Sequence, residues 1–148
     1  MSNGRIEAIW VKRAHGGPMD SCSAVHLHAD RGVDASADQG GKRQVTIIEK
    51  ERWQDMMAEL SADLDPSARR ANLMVSGVAL AHTRGQVLQV GACRLRVLGE
   101  TRPCKLMEET LPGLQEAMTS EWRGGIFAEV LQDSEIRVGD AVEWESTE

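Results

Sequence analysis

The sequence predicts a mainly β protein, a closed or partly closed β-barrel with a few short α-helices. Three observations predict it. Short apolar runs recur along the chain, bounded by Gly, Asp, Asn and Ser. Only one long segment carries helical periodicity. Strands and helices do not alternate as they would in the βαβ units of a parallel sheet. With 148 residues, no internal repeat and no low-complexity tract, the chain fits a single domain, residues 1–148.

In chain order, Ile6 to Val11 reads as an opening strand and Ala24 to His28 as a second. Asp30 to Arg43 is rich in Gly, Asp and Ser and nearly devoid of apolar residues, so it reads as a loop. Gln44 to Ile48 is a β-branched strand with Val45, Ile47 and Ile48 as its apolar members. The clearest helix runs from about Lys50 to Leu64. Trp53, Met56, Met57, Leu60 and Leu64 recur at helical spacing, while Glu51, Arg52, Asp55, Glu59 and Asp63 face outward. Pro66 is expected to end it, because the residue before a proline is pushed out of the helical region.

Asn72 to Val75 follows as a strand, with Gly77 permitting a turn or bulge. Gln86 to Val90 and Ala92 to Leu98 read as two strands joined at Gly91. In the second, Cys93, Leu95 and Val97 share one face and Arg94 and Arg96 the other. Cys104 to about Thr110 can form a short helix after Pro103. Leu114, Ala117 and Met118 mark another, stopped by Gly124-Gly125. Ile126 to Leu131 and Ala141 to Trp144 are closing strands separated by the Gly139-Asp140 turn.

Composition narrows the function. Hydrophobic residues are 41% and charged residues 27%, close to globular averages. No apolar run approaches the roughly 18–20 residues of a membrane helix. The N-terminus lacks the apolar core of a signal peptide, so a cytoplasmic location is expected. The net charge of −6 disfavours general binding to nucleic acid or anionic membranes. With four Trp, one Phe and no Tyr, the core must be built from Val, Leu, Ile, Ala and Met.

Among three cysteines, Cys104 is the best candidate for chemistry. It sits past a strand, at the expected start of a helix, between Arg102 and Lys105. Those surroundings favour a reactive thiolate that can attack sulfur or ligate a soft metal. Cys93 alternates with apolar neighbours and reads as a small buried hydrophobe. Cys22 lies between two serines with no activator, and no cysteine separation matches a zinc spacing. His26 and His28 share a strand face near Cys22 and Asp30; a half-buried histidine pair is the plain reading of them, with a metal site as the sharper one. His15 and His82 read as single loop histidines.

Basic residues gather at four element boundaries: Lys42-Arg43, Arg69-Arg70, Arg102 with Lys105, and Arg123 before Gly124-Gly125. Guanidinium groups and free backbone N–H groups at such junctions can converge on an anion. Scattered surface charge is the plain reading of any one of them; four such junctions in an acidic chain raise the alternative of a small anionic ligand such as a phosphorylated cofactor. Glu108, Glu109, Glu116 and Glu121 read as solvated helix faces. No phosphate-binding loop, dinucleotide fingerprint or serine-centred elbow is present.

The order of several short words carries a family resemblance. These are Lys42-Arg43-Gln44-Val45-Thr46, Arg69-Arg70-Ala71-Asn72-Leu73-Met74-Val75-Ser76-Gly77, Leu95-Arg96-Val97-Leu98-Gly99-Glu100-Thr101-Arg102-Pro103-Cys104, Trp122-Arg123-Gly124-Gly125-Ile126-Phe127-Ala128-Glu129-Val130 and Ile136-Arg137-Val138-Gly139-Asp140. Together, from about Ile6 to Val142, they resemble the MOSC family, the domain at the C-terminus of molybdenum cofactor sulfurases, and in particular its small standalone bacterial members.

The resemblance implies a strand-rich barrel akin to that of pyruvate kinase and a functional cysteine at Cys104. That thiolate would ligate molybdenum in a pterin cofactor (molybdopterin), in proteins that reduce N-hydroxylated bases and amidoximes with electrons from a reductase. Alternatively it would carry sulfur, as a persulfide, from a desulfurase; pyridoxal phosphate enters only through that desulfurase partner. Arg43, Arg70 and Asn72 would help hold the pterin and its phosphate, with Arg102, Lys105 and the Arg123-Gly124-Gly125 loop close by. The chain departs from the family where many members carry a Gly-Asp-Arg-His-like word. Here the region reads Gly32-Val33-Asp34-Ala35-Ser36-Ala37-Asp38.

Overall fold

The computed structural model describes residues 4–12, 14, 17–34, 36 and 44–145. The described strands are β1 (Gly4–Lys12), β2 (Met19–Cys22), β3 (Ala24–His28), β4 (Gly32–Val33), β5 (Val45–Glu49), β6 (Leu73–Ser76), β7 (Val87–Val90), β8 (Cys93–Glu100), β9 (Ile126–Val130), β10 (Ser134–Arg137) and β11 (Ala141–Trp144). Helices α1 (Lys50–Glu59), α2 (Lys105–Thr110) and α3 (Leu114–Ala117) and a 3₁₀ turn (Pro66–Arg69) join them.

Seven strands form a closed barrel in the order β11-β7-β8-β9-β5-β6-β1, completed by Gly4↔Val142 and Arg5↔Ala141 pairing between β1 and β11. Closure removes the open sheet edges that would otherwise need protection. Only β5 and β6 run parallel, because α1 and the 3₁₀ turn carry the chain back between them. β2 hangs on the outside of β1. β10, β3 and β4 form a separate small sheet.

Alternation fills the interior. Cys93, Leu95 and Val97 of β8 are fully buried, while Arg96 is exposed. Ile6, Ile9, Val45, Ile47, Leu73 and Ile126 join them in one aliphatic core. A second cluster of Trp53, Met56, Met57, Met107, Leu114 and Met118 packs the three helices together. The methionines thus replace aromatic bulk where helices meet at irregular gaps.

Three elements differ from expectation. α1 stops at Glu59, because Ser61 takes a left-handed backbone with φ 51° and turns the chain. Leu64 still reaches the helical cluster, from a returning segment whose carbonyl accepts a hydrogen bond from Trp53 Nε1 at 3.1 Å. Pro66 therefore opens the 3₁₀ turn, with Asp65 capping it by accepting from the Ser67 N–H at 2.9 Å. α3 ends at Ala117, well before Gly124-Gly125. The strands β2, β4 and β10 have no counterpart in the sequence reading. β2 has no fully buried residue and β10 has only Ile136, so neither shows an apolar alternation.

Glu7 ties β1 to β6. Its carboxylate accepts from Ser76 Oγ at 2.6 Å and Arg5 Nε at 2.8 Å, with Lys50 Nζ at 3.6 Å. The Ser76 and Arg5 hydrogen bonds hold its carboxyl at about 2. The unfolded chain binds that proton near the ordinary 4.5, so Glu7 stabilises the fold fully above about 4.5 and loses this effect as pH falls toward 2. Glu7→Gln should therefore melt below the unmodified protein at pH 6, and the gap should close by pH 2 to 3; a gap independent of pH would contradict the assignment.

Cys93 is fully buried, and burial pushes its thiol up to about 11. Alkylation at pH 8 followed by mass spectrometry should leave Cys93 unmodified until denaturant is added. Labelling of the native protein would show that the strand opens locally.

Candidate functional site

One end of the barrel brings together the end of β1, the middle of β5, the start of β6, the end of β8 and the start of β9. A cavity of about 230 Å³ opens there. Among the described residues its charged walls are Lys12, Arg69 and Arg70, with no carboxylate in the lining. Thr46, Asn72 and Thr101 add polar groups, Leu106 and Met107 an apolar wall, and Cys104 a thiol.

Arg69 fixes the rim. It is 8% exposed, and its Nε–H donates to the Gly124 carbonyl at 3.0 Å while Nη2 donates to the Thr101 carbonyl at 3.1 Å. The Thr101 N–H donates to Gly125 O at 2.9 Å, so two loops distant in sequence are laced together. Neither glycine has room for a side chain. A Cβ at Gly124 would sit 2.6 Å from Thr101 O, and one at Gly125, where φ is +100°, 2.2 Å from Ile47 O.

Arg70 does the opposite job. It caps the 3₁₀ turn in a left-handed conformation, φ 64°, which an arginine adopts only when its surroundings enforce it. Its Nη2 is buried without a hydrogen-bond partner among the described residues, as is Thr101 Oγ1. An unpartnered buried donor is costly, roughly 1–3 kcal/mol and more when charged. Arg70 and Thr101 both line the cavity that Cys104 lines, and a guanidinium and a hydroxyl both suit an oxygen-rich anion.

Cys104 stands at the N-cap of α2, exposed, with no hydrogen bond from its side chain to the helix. Its carbonyl accepts the Met107 N–H at 3.0 Å, anchoring the backbone and leaving Sγ at the cavity mouth. Of the other sequence-derived candidates, Arg70, Asn72 and Gly124 also line the cavity. The Asn72 amide is largely engaged: Oδ1 accepts from Thr46 N at 3.0 Å, and Nδ2 donates to Trp10 O at 3.4 Å. Gly125 supports the wall from behind. Arg102 and Lys105 are exposed flanks of Cys104 outside the lining. Arg123 points away, its guanidinium donating to Glu59 at 3.0 Å and to the Ala117 carbonyl at 3.2 Å. Arg43 lies outside the described residues, as do Lys42 and His15.

Sequence reasoning did not single out Lys12, Thr46 or Thr101. Their positions beside strand ends at one barrel rim could have found them, once the strand order was known. Cys22 is half-buried with Sγ 3.7 Å from Asp20 O. His82 is an exposed loop residue beside Glu121 and Trp122.

The MOSC domain family model matches residues 12–143. A comparison with curated proteins returned no match. Among solved structures, the YUAD protein from Bacillus subtilis superposes with a TM-score of 0.80 at 17% identity, covering 100% of both chains. YiiM from Geobacillus stearothermophilus gives a TM-score of 0.76 at 17% identity, over 97% of this chain and 75% of that one. YiiM from Escherichia coli gives 0.70 at 15% identity, over 97% and 71%. At these identities the likeness is one of fold. No described helix is long and apolar enough to cross a membrane.

The rim geometry makes a stability prediction. Arg69→Met should leave two buried carbonyls without donors and destabilise by roughly 2–4 kcal/mol, read as a lowered urea midpoint. An unchanged midpoint would mean that the lacing does not depend on Arg69.

Proposed function

The chain belongs to the MOSC domain family, and we propose that its barrel mouth receives a molybdopterin-type cofactor, with Cys104 as the soft ligand to the metal. The observation that carries this reading is Arg70 Nη2, buried without a hydrogen-bond partner among the described residues, on a side chain that lines the same cavity as the Cys104 thiol. A phosphate oxygen would satisfy Arg70 Nη2, and the pterin's polar edge can meet Thr101 Oγ1. Leu106 and Met107 shield one wall from water.

When bound, the molybdenum centre supplies two-electron redox chemistry. The reaction class is reduction of an N-hydroxylated compound, in which two electrons and two protons convert N–OH to N–H and water. This chain's residues bind and orient. Arg70 holds the anion, Cys104 Sγ provides the ligand, and Arg69 keeps the two loops that carry Thr101 and Gly124 in register. Lys12 lines the cavity, and protons would come from it or from solvent. Electrons require a reductase partner.

A second reading has one observation in its favour. Cys104 is exposed at the mouth, where a desulfurase could reach it and leave a persulfide. One experiment separates the two. The protein is purified from a host that makes molybdenum cofactor, then assayed for molybdenum, for pterin fluorescence after oxidation, and for Cys104 mass.

Molybdenum and pterin in near-equal amounts are expected. Cys104→Ser should lose the metal, and Arg70→Ala should lose pterin about tenfold to a hundredfold, the equivalent of one charge-assisted contact of roughly 1.5–3 kcal/mol. A metal-free protein with Cys104 heavier by one sulfur would establish the carrier role instead. Retention unaffected by either substitution would overturn both.

A further inference from the structure

Away from the cavity, the small sheet gathers metal-ligating side chains on one face. β3 places His26 and His28 two residues apart, so both rings leave the same side of the strand, with centroids 4.6 Å apart. β10 runs antiparallel, with Ser134 opposite Leu27 and Glu135 opposite His26. Asp133, the residue before β10, continues that register to the level of His28. Opposed residues of an antiparallel pair share a face. The ligand atoms of His26, His28 and Asp133 accordingly lie within 4.8 Å of one another.

Two outer contacts preset this group. The Asp34 carboxylate stands 3.0 Å from His28 Nε2, the carboxylate–imidazole contact that orients histidine ligands and raises their basicity. It leaves the second ring nitrogen for an ion. Asp133 Oδ1 accepts the Ala29 N–H at 2.7 Å, which holds the carboxylate in place with its other oxygen available. His26 and Asp133 are exposed and His28 is half-buried, so an ion can enter from solvent. None of these residues lines the Cys104 cavity.

We propose that His26, His28 and Asp133 form a site for a divalent ion of the zinc type, which cross-links β3 to the connection between β9 and β10. Two imidazole nitrogens and one carboxylate oxygen are the borderline donor set that zinc takes, with water completing a tetrahedron. A tetrahedral ion with bonds of about 2.0–2.1 Å sets its ligand atoms roughly 3.3 Å apart. The chemistry is separate from the cofactor reading, and neither stands or falls with the other.

The test is calorimetric titration of the purified chain with Zn²⁺, paired with the optical spectrum of its Co²⁺ form. One Zn²⁺ per chain in the micromolar range is expected, with a tetrahedral Co²⁺ spectrum that lacks thiolate charge-transfer bands. His28→Ala and Asp133→Asn should each weaken binding at least about tenfold. His26→Ala, at an exposed position, should do the same without disturbing packing. Zn²⁺ should also raise the melting temperature of the unmodified chain and of none of the variants. Unchanged binding in the variants, a thiolate band, or no saturation below millimolar Zn²⁺ would overturn the proposal.

Discussion

The Arg69 guanidinium, buried at the barrel rim, holds the Thr101 and Gly124 carbonyls at 3.1 and 3.0 Å, and the geometry of the mouth follows from that contact. Thr101 begins the segment that delivers Cys104, and Gly124 begins the one that enters β9. Both carbonyls take their donor from the one guanidinium. With it, the chain can bring a thiol and a second arginine to one cavity. The left-handed turn at Arg70 is part of the same arrangement, since it lets consecutive arginines take different roles.

Charge is sorted between the rim and the outside of the barrel. The chain carries a net −6, yet among the described residues its cavity walls hold Lys12, Arg69 and Arg70 and no acid. Elsewhere acids meet arginines: Glu145 with Arg94 at 2.9 Å, Glu129 with Arg96 at 3.6 Å, and Glu59 with Arg123 at 3.0 Å. The partly exposed pairs add little stability. A concave, low-dielectric surface with one sign of charge concentrates the opposite sign, which is how an acidic protein can still collect an anion.

The barrel was legible because its strands alternate. Cys93, Leu95 and Val97 of β8 announce one buried face, and β5 shows the β-branched run of a strand covered on both sides. β2 and β10 were not legible, since strands that bury one residue or none leave no apolar period. The end of α1 was hidden for a related reason. Leu60 and Leu64 keep helical spacing because they pack against the same cluster as Trp53, although the chain between them has already turned. At the site, Cys104 and Arg70 could be singled out from their neighbours in sequence. The direction of Arg123 could not, because its partner Glu59 is 64 residues away. Lys12 and Thr101 join the cavity only through strand order, and the ligand group at His26 and His28 gains Asp133 only through the register of β3 with β10.

The proposed function has the cavity at Cys104 bind a molybdopterin-type cofactor through Arg70. Anomalous diffraction at the molybdenum edge, on crystals of protein purified from a cofactor-competent host, tests it most directly. The account predicts a single anomalous peak at bonding distance from Cys104 Sγ, with phosphate density against Arg70 Nη2. A peak remote from Cys104, or phosphate held by the outer arginines Arg102 and Arg123 while Arg70 stays unpartnered, would contradict it.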